Sequence, residues 1–402
     1  MFCLGYLVKP NSRRFWGAQT VPGAARYFTS SRFLSSQNQV ATREGLTART
    51  TGILSTLIDS GASRQDRRLA LSRAVTLIES TEARRKEQAS ILLQAISDAS
   101  LAGSSSDSSP PSASGGAFRV GFAGPPGAGK SSFIEKFGLH VLGADADGKP
   151  TRSLASEPSG GVTFSPSTMA VLSIDPSSSY SGGSILGDKT RMPELSRHPD
   201  CFIRPSPTST NLGGINAYTN DVIQLCQAGG YGLVVVETVG VGQSEVEVDK
   251  AVDMLILLVP PGGGDELQGV KKGIVEVADM LIVNKADGAL LTTARHTCAD
   301  YRGAVKWQGR GKSDIREGWK VPVLMASAKE NTGVDKVWEQ VMKFKEVQSK
   351  NGGLEEKRRR QGKYWMWKQV QEIIRLKTER DDDLKERANM LDRALMEGKV
   401  TP

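Results

Sequence analysis

Residues 124–131 read Gly-Pro-Pro-Gly-Ala-Gly-Lys-Ser, and no other stretch constrains the fold of this chain so tightly. The pattern G-x-x-x-x-G-K-[ST] has meaning only between a strand and a helix. The apolar run Phe118–Phe122 precedes it and reads as a buried strand, while Ser132–Phe137 reads as a helix start. In that setting Gly124, Gly127 and Gly129 let the backbone curl around a polyphosphate, with Pro125, Pro126 and Ala128 filling the turn. The N–H groups of the loop and the positive end of the helix, from Ser132 onward, then face negative charge. Lys130 would reach the outer phosphates, and the Ser131 hydroxyl would hold a magnesium ion.

Two further runs extend the pattern. Leu281-Ile-Val-Asn-Lys-Ala-Asp287 is an apolar strand that ends in N-K-x-D. Guanine offers two N–H donors on one edge, and the Asp287 carboxylate can accept both. Asn284 can bridge the base side to the phosphate loop, and the Lys285 stem can lie over the ring. Adenine lacks that donor pair and would leave a buried carboxylate unpaired, which is strongly disfavoured. Ala326-Ser327-Ala328-Lys329 resembles the last and weakest GTPase motif, whose backbone contacts the guanine oxygen, and the resemblance adds Ser327, Ala328 and Lys329 to the candidate nucleotide contacts. Leu233-Val-Val-Val-Glu-Thr-Val-Gly240 is a third apolar strand, ending in Glu237-x-x-Gly240. Glu237 would hold magnesium through water, and the Gly240 N–H would sense the terminal phosphate.

Together with Ile174-Asp-Pro-Ser-Ser178 and Ile185-Leu-Gly-Asp-Lys-Thr-Arg-Met192, these blocks resemble the ArgK/MeaB/MMAA family, in the family's order and over about residues 45 to 400. That family consists of GTPase chaperones of adenosylcobalamin-dependent methylmalonyl-CoA mutase. The resemblance implies GTP/GDP and Mg2+ as cofactors, the mutase as partner, and a homodimer. It places Asp175 and Asp188 near magnesium and the terminal phosphate, beside Ser131 and Glu237. Lys130, Asp175 and Glu237 are then the catalytic candidates. Magnesium keeps several waters, so a few oxygen donors suffice. Read alone, Asp175 has a second, less favoured reading as a turn residue before Pro176. Gly262–Lys272 is similar to the family's third nucleotide-responsive loop. Where Ras-like GTPases carry a water-orienting Gln, this chain has Val241, so slow intrinsic hydrolysis raised by a partner is expected.

The 402 residues carry a net charge of +8, which invites a nucleic-acid reading. Its location argues otherwise. Residues 1–43 hold Lys9, Arg13, Arg14, Arg26, Arg32 and Arg43 and no acid, leaving only +2 for the remainder. An acid-poor, Arg- and Ser-bearing start reads as a mitochondrial transit peptide, with the matrix as destination. No run of about 18 apolar residues suggests a membrane span. The four cysteines and three histidines are scattered, which favours neither a disulfide framework nor a nickel-delivery site.

The organisation that follows is a transit peptide (1–43), an N-terminal helical region (44–101), a Ser/Pro/Gly-rich linker (102–116), a P-loop GTPase domain (117–350) and a C-terminal helical arm (351–402). Residues 65–100 show two helices' worth of spacing, with Leu69, Leu71, Val75, Leu77 and Ile78 as one apolar set. The expected fold is α/β, a mostly parallel doubly wound sheet with helical extensions at both ends. By resemblance the arm mediates dimerisation. Its Tyr364, Trp365 and Trp367 suit an interface but could equally dock on the chain's own core. The expected function is a GTP-hydrolysing, metallochaperone-like switch that gates or protects adenosylcobalamin loading of the mutase. The alternative is a protein kinase linked to amino-acid transport, as the ArgK branch has been read. Such a kinase needs a base near the terminal phosphate to activate its acceptor, and the sequence carries no signature of one.

Overall fold

Phe118, Val120 and Phe122 alternate with Arg119, Gly121 and Ala123, and all six are buried. Burial on both faces marks a central strand of a parallel sheet. The computed structural model describes residues 45–59, 61–80, 82–103, 116–144, 166–175, 192–207, 217–238, 244–262, 272–308 and 318–399. Its strands are Phe118–Ala123 (β1), Met169–Asp175 (β2), Cys201–Pro207 (β3), Leu233–Glu237 (β4), Met254–Val259 (β5), Met280–Val283 (β6) and Val323–Met325 (β7). They form one sheet in the order β3-β2-β4-β1-β5-β6-β7, and every pairing is parallel.

Strand periodicity sends alternate residues to opposite faces. On one face Phe122, Leu233, Val235 and Ile256 meet Phe133 and Phe137 of Lys130–Val141 (α4), Leu195 of Pro193–Arg197 (α5) and Val337 of Val334–Lys350 (α10). On the other face Val234, Val236, Leu255 and Leu257 pack against Ala217–Ala228 (α6), Ser244–Asp249 (α7), Lys272–Val277 (α8) and Leu291–Gln308 (α9). Each fully buried large side chain contributes about 1.5–3 kcal/mol, so two apolar faces account for the sheet's stability. The expected doubly wound architecture is what the chain adopts.

Three helices precede the sheet: Ala48–Ile58 (α1), Arg64–Ile78 (α2) and Ala83–Gly103 (α3). Thr47 and Ser63 cap the first two by accepting Thr50 and Asp66 N–H groups. Residues 65–100 do form two helices, and α1 is a third that the spacing did not suggest. Leu71, Val75 and Ile78 are buried, but Leu69, read with them, is 50 % exposed because α2 turns that side to solvent. α3 runs to Gly103, two residues into the segment read as linker. Residues 1–44, and 104–115 of that linker, lie outside the described residues.

The arm consists of Gly353–Arg380 (α11) and Asp382–Met396 (α12). The first half of α11 is docked. Leu354, Gln361 and Trp365 are buried, and Trp365 Nε1 donates to Lys250 O at 2.7 Å. Arg358 Nε donates to Asp253 Oδ1 at 2.9 Å, and the same carboxylate pairs with Arg119 of β1. Burial alone would push Asp253 up, but the two guanidiniums outweigh it and hold the group well below the usual carboxylate range. The second half of α11 and all of α12 leave Trp367, Ile373, Ile374, Met390 and Leu391 exposed.

Candidate functional site

Every strand of a parallel sheet ends on the same side, and ligands of open α/β sheets sit at those carboxyl ends, where the strand order reverses. Here β1 lies between β4 and β5, and the loop Gly124–Ser131 leaves its carboxyl end. The loop's shape is set by glycine. Gly124, Gly127 and Gly129 have φ of 146°, 79° and 84°, a region that side chains avoid. A Cβ on Gly124 would stand 2.0 Å from Leu258 O, and one on Gly129 would stand 2.7 Å from Asn284 Nδ2. Gly129 also opens α4, so helix N–H groups face into the loop. Lys130 is nearly buried, and its ammonium donates to Gly124 O at 2.7 Å and Pro125 O at 3.1 Å.

Ser131, in the first turn of α4, donates its hydroxyl to Glu237 Oε1 at 2.6 Å. Ser173 of β2 donates to Glu237 Oε2 at 2.8 Å. Glu237 ends β4 and is only 5 % exposed. The carboxylate and two hydroxyls form an all-oxygen cluster, the donor type that magnesium prefers. The neighbouring Thr238 holds its N–H on Phe122 O at 3.0 Å, and its buried hydroxyl has no hydrogen-bond partner. These groups therefore fit a hydrated Mg2+. Ser173 escaped the sequence reading. Its one signal was a polar residue inside the otherwise apolar run Met169–Ile174.

The N-K-x-D segment follows β6. Asn284 is buried, and its Nδ2 donates to Ala128 O at 2.9 Å while its Oδ1 accepts from Ala328 N at 3.3 Å. One side chain thus ties the phosphate loop to the segment after β7. Lys285 adopts φ of 57°, in the left-handed region that non-glycine residues seldom occupy. Asp287 accepts a hydrogen bond from Ser327 Oγ, and Glu330 N donates to the same hydroxyl at 3.0 Å. Ala286 N donates to Ala326 O at 3.0 Å, closing the two loops together.

Most sequence-derived candidates therefore converge at one edge of the sheet: Gly124–Ser132, Glu237, Asn284, Lys285, Asp287 and Ser327–Lys329. Asp175 ends β2 at that same edge by its backbone position. Asp188 and Gly240 lie outside the described residues, as do 263–271 of the third loop. The described cysteines, Cys201, Cys226 and Cys298, are buried free thiols that burial pushes up in pKa. Among the described residues no three or more His, Cys, Asp and Glu are grouped so as to hold a metal ion, and no helix is long and apolar enough to cross a membrane.

A family model described as "Methylmalonyl Co-A mutase-associated GTPase MeaB" matches residues 71–382. A Mus musculus protein named "Methylmalonic aciduria type A homolog, mitochondrial" is 41 % identical over 335 residues, 83 % of this chain and 74 % of that protein. "GTPase ArgK" of Escherichia coli is 39 % identical over 314 residues, covering 77 % and 82 % of the two chains. A solved structure described as "LAO/AO transport system kinase" superposes with a TM-score of 0.60 at 30 % identity, covering 88 % of this chain and 94 % of that one.

Proposed function

The chain belongs to the family of methylmalonyl Co-A mutase-associated GTPases called MeaB, and from that premise we propose a switch that couples GTP hydrolysis to a cobalamin-dependent mutase. It binds methylmalonyl-CoA mutase and gates or protects the loading of adenosylcobalamin. Hydrolysis of GTP is the family's activity. The observation that carries the site assignment is Asn284, whose amide spans from Ala128 of the phosphate loop to Ala328. A nucleotide whose phosphates lie in the loop then has its base against Asp287.

In hydrolysis a water oxygen attacks the terminal phosphorus. The bond from that phosphorus to the bridging oxygen breaks, yielding GDP, inorganic phosphate and one proton. Lys130 and the loop N–H groups neutralise charge on the phosphate oxygens. Ser131, Glu237 and Ser173 would hold magnesium, and the family resemblance would add Asp175 and Asp188. When bound, magnesium supplies further positive charge to the phosphate oxygens. Val241 cannot orient the attacking water, so a partner that orders the surrounding loops accelerates the reaction.

The mitochondrial names of animal relatives, with the acid-free leader, support import to the matrix and removal of residues 1–43. The exposed apolar residues of α11 and α12 support a dimerisation arm at 351–402, beside a GTPase domain at 117–350 and a helical region at 44–101. The deciding experiment is single-turnover hydrolysis with and without the mutase of the same organism. Acceleration together with a complex on size-exclusion chromatography is the expected result. An unchanged rate and no complex in any nucleotide state would leave a GTPase with another partner. Labelled phosphate appearing on protein instead of in solution would favour the kinase reading.

A further inference from the structure

A second concave site lies in the N-terminal three-helix unit, far in sequence from the phosphate loop. α1, α2 and α3 flank an open surface groove of about 650 Å³, lined by the exposed side chains of Arg49, Arg73, Arg84 and Arg85, one or two from each helix. Among the described residues its only acidic lining residue is Glu87. Arg85 pairs with Glu82 at 2.9 Å, but both side chains are more than half exposed, so the pair is weak. Among the described residues Arg49, Arg73 and Arg84 have no ion pair.

The wall of the groove is ordered. Gln88 clamps its rim, accepting from Thr47 N at 2.8 Å and donating to Gly45 O at 2.6 Å. The Thr47 and Thr50 hydroxyls lie 2.9 Å apart, and Ile53 is buried behind them. A concave wall that gathers like charges focuses positive potential and draws in an anion. Guanidinium forks match phosphate oxygens two at a time, and hydroxyls complete the remaining acceptors. The volume falls within the roughly 300–1,000 Å³ of small-molecule sites, much more than one inorganic phosphate fills.

We propose that this arginine-lined groove binds a phosphorylated small molecule carrying at least two negative charges, at a site separate from the GTP site. α2 and α3 pack on α6, which leads directly into β4 and Glu237, so occupancy has a physical route to the nucleotide site.

The test is calorimetric titration of inorganic pyrophosphate into the full chain preloaded with GDP, so that the phosphate loop is already filled. Saturable one-to-one binding that weakens with added salt is expected. The double variant Arg73→Gln/Arg84→Gln should bind at least about tenfold more weakly while keeping GDP affinity and melting temperature, since both positions are exposed. Binding of pyrophosphate by the double variant equal to that of the wild type would overturn the proposal. So would the absence of saturable binding in the wild type. A hexaglutamate peptide that binds as tightly as pyrophosphate, and loses affinity in the same variant, would overturn it in favour of an acidic protein surface. None of these outcomes depends on the mutase.

Discussion

Ser131 Oγ and Glu237 Oε1 lie 2.6 Å apart, so the first turn of α4 and the carboxyl end of β4 meet at one carboxylate. The two residues are more than a hundred positions apart in the chain, yet β1 and β4 are neighbours with Phe122 opposite Glu237. Strand pairing is therefore what assembles this cluster of oxygens.

Replacing Glu237 with Gln keeps the shape and removes the charge. Magnesium-dependent hydrolysis should fall by about 10–100-fold, with GDP affinity in the absence of magnesium little changed. Hydrolysis measured across a magnesium titration reads this directly. Wild-type turnover at low magnesium would exclude Glu237 from the cluster.

Asp287→Asn should move preference from GTP toward xanthosine triphosphate. An amide keeps one acceptor and gains a donor, which suits the extra carbonyl of xanthine. The Ser327 hydroxyl can still donate to the remaining oxygen, so the loop should keep its form. Competition binding with GTP, xanthosine triphosphate and ATP gives the answer. A variant that still prefers GTP would refute the base assignment.

Asp253 sits fully buried between Arg119 and Arg358. Asp253→Asn leaves two cations without their anion and should destabilise the fold by about 3–5 kcal/mol. The pH sign follows from the depressed folded-state pKa. Above the ordinary carboxylate value of 3.8 the group is ionised in both states and its stabilisation is fully present. As pH falls below 3.8 the unfolded chain takes up the proton first, and the contribution is lost toward the lower folded-state pKa. Urea melts of the wild type should weaken through that window, and the variant should show a flatter acid limb. Parallel acid limbs would contradict the assignment.

Trp365 and Trp367 offer a paired test on one helix. Trp365→Ala should cost about 3–5 kcal/mol, since the ring is buried and its N–H is bonded to Lys250 O. Trp367→Ala should change monomer stability by about 0.5 kcal/mol or less, because the ring is 54 % exposed. Its effect should appear in sedimentation as weaker self-association. Equal thermal destabilisation by both substitutions would argue against the docked geometry of α11.

The glycine-rich loop after β1, the acid ending β4 and the N-K-x-D segment after β6 were all legible as local features in residue order. Each is a contiguous stretch whose chemistry is local: glycines tolerate the left-handed φ of Gly127 and Gly129, and an apolar run ends where a polar motif begins. The parallel α/β architecture was legible for a similar reason, because runs such as Met254–Val259 are apolar on both faces. Tertiary structure alone decided which distant groups meet. Ser173 reaches Glu237 only because β2 lies beside β4, and Asp253 meets Arg358 only because α11 returns to the foot of β5. The orientation of a helix about its own axis is likewise set by what it packs against, which is why Leu69 faces solvent while Trp365 is buried beside exposed Trp367. Pairwise contacts over such separations depend on strand order and helix docking, and neither is written in local spacing.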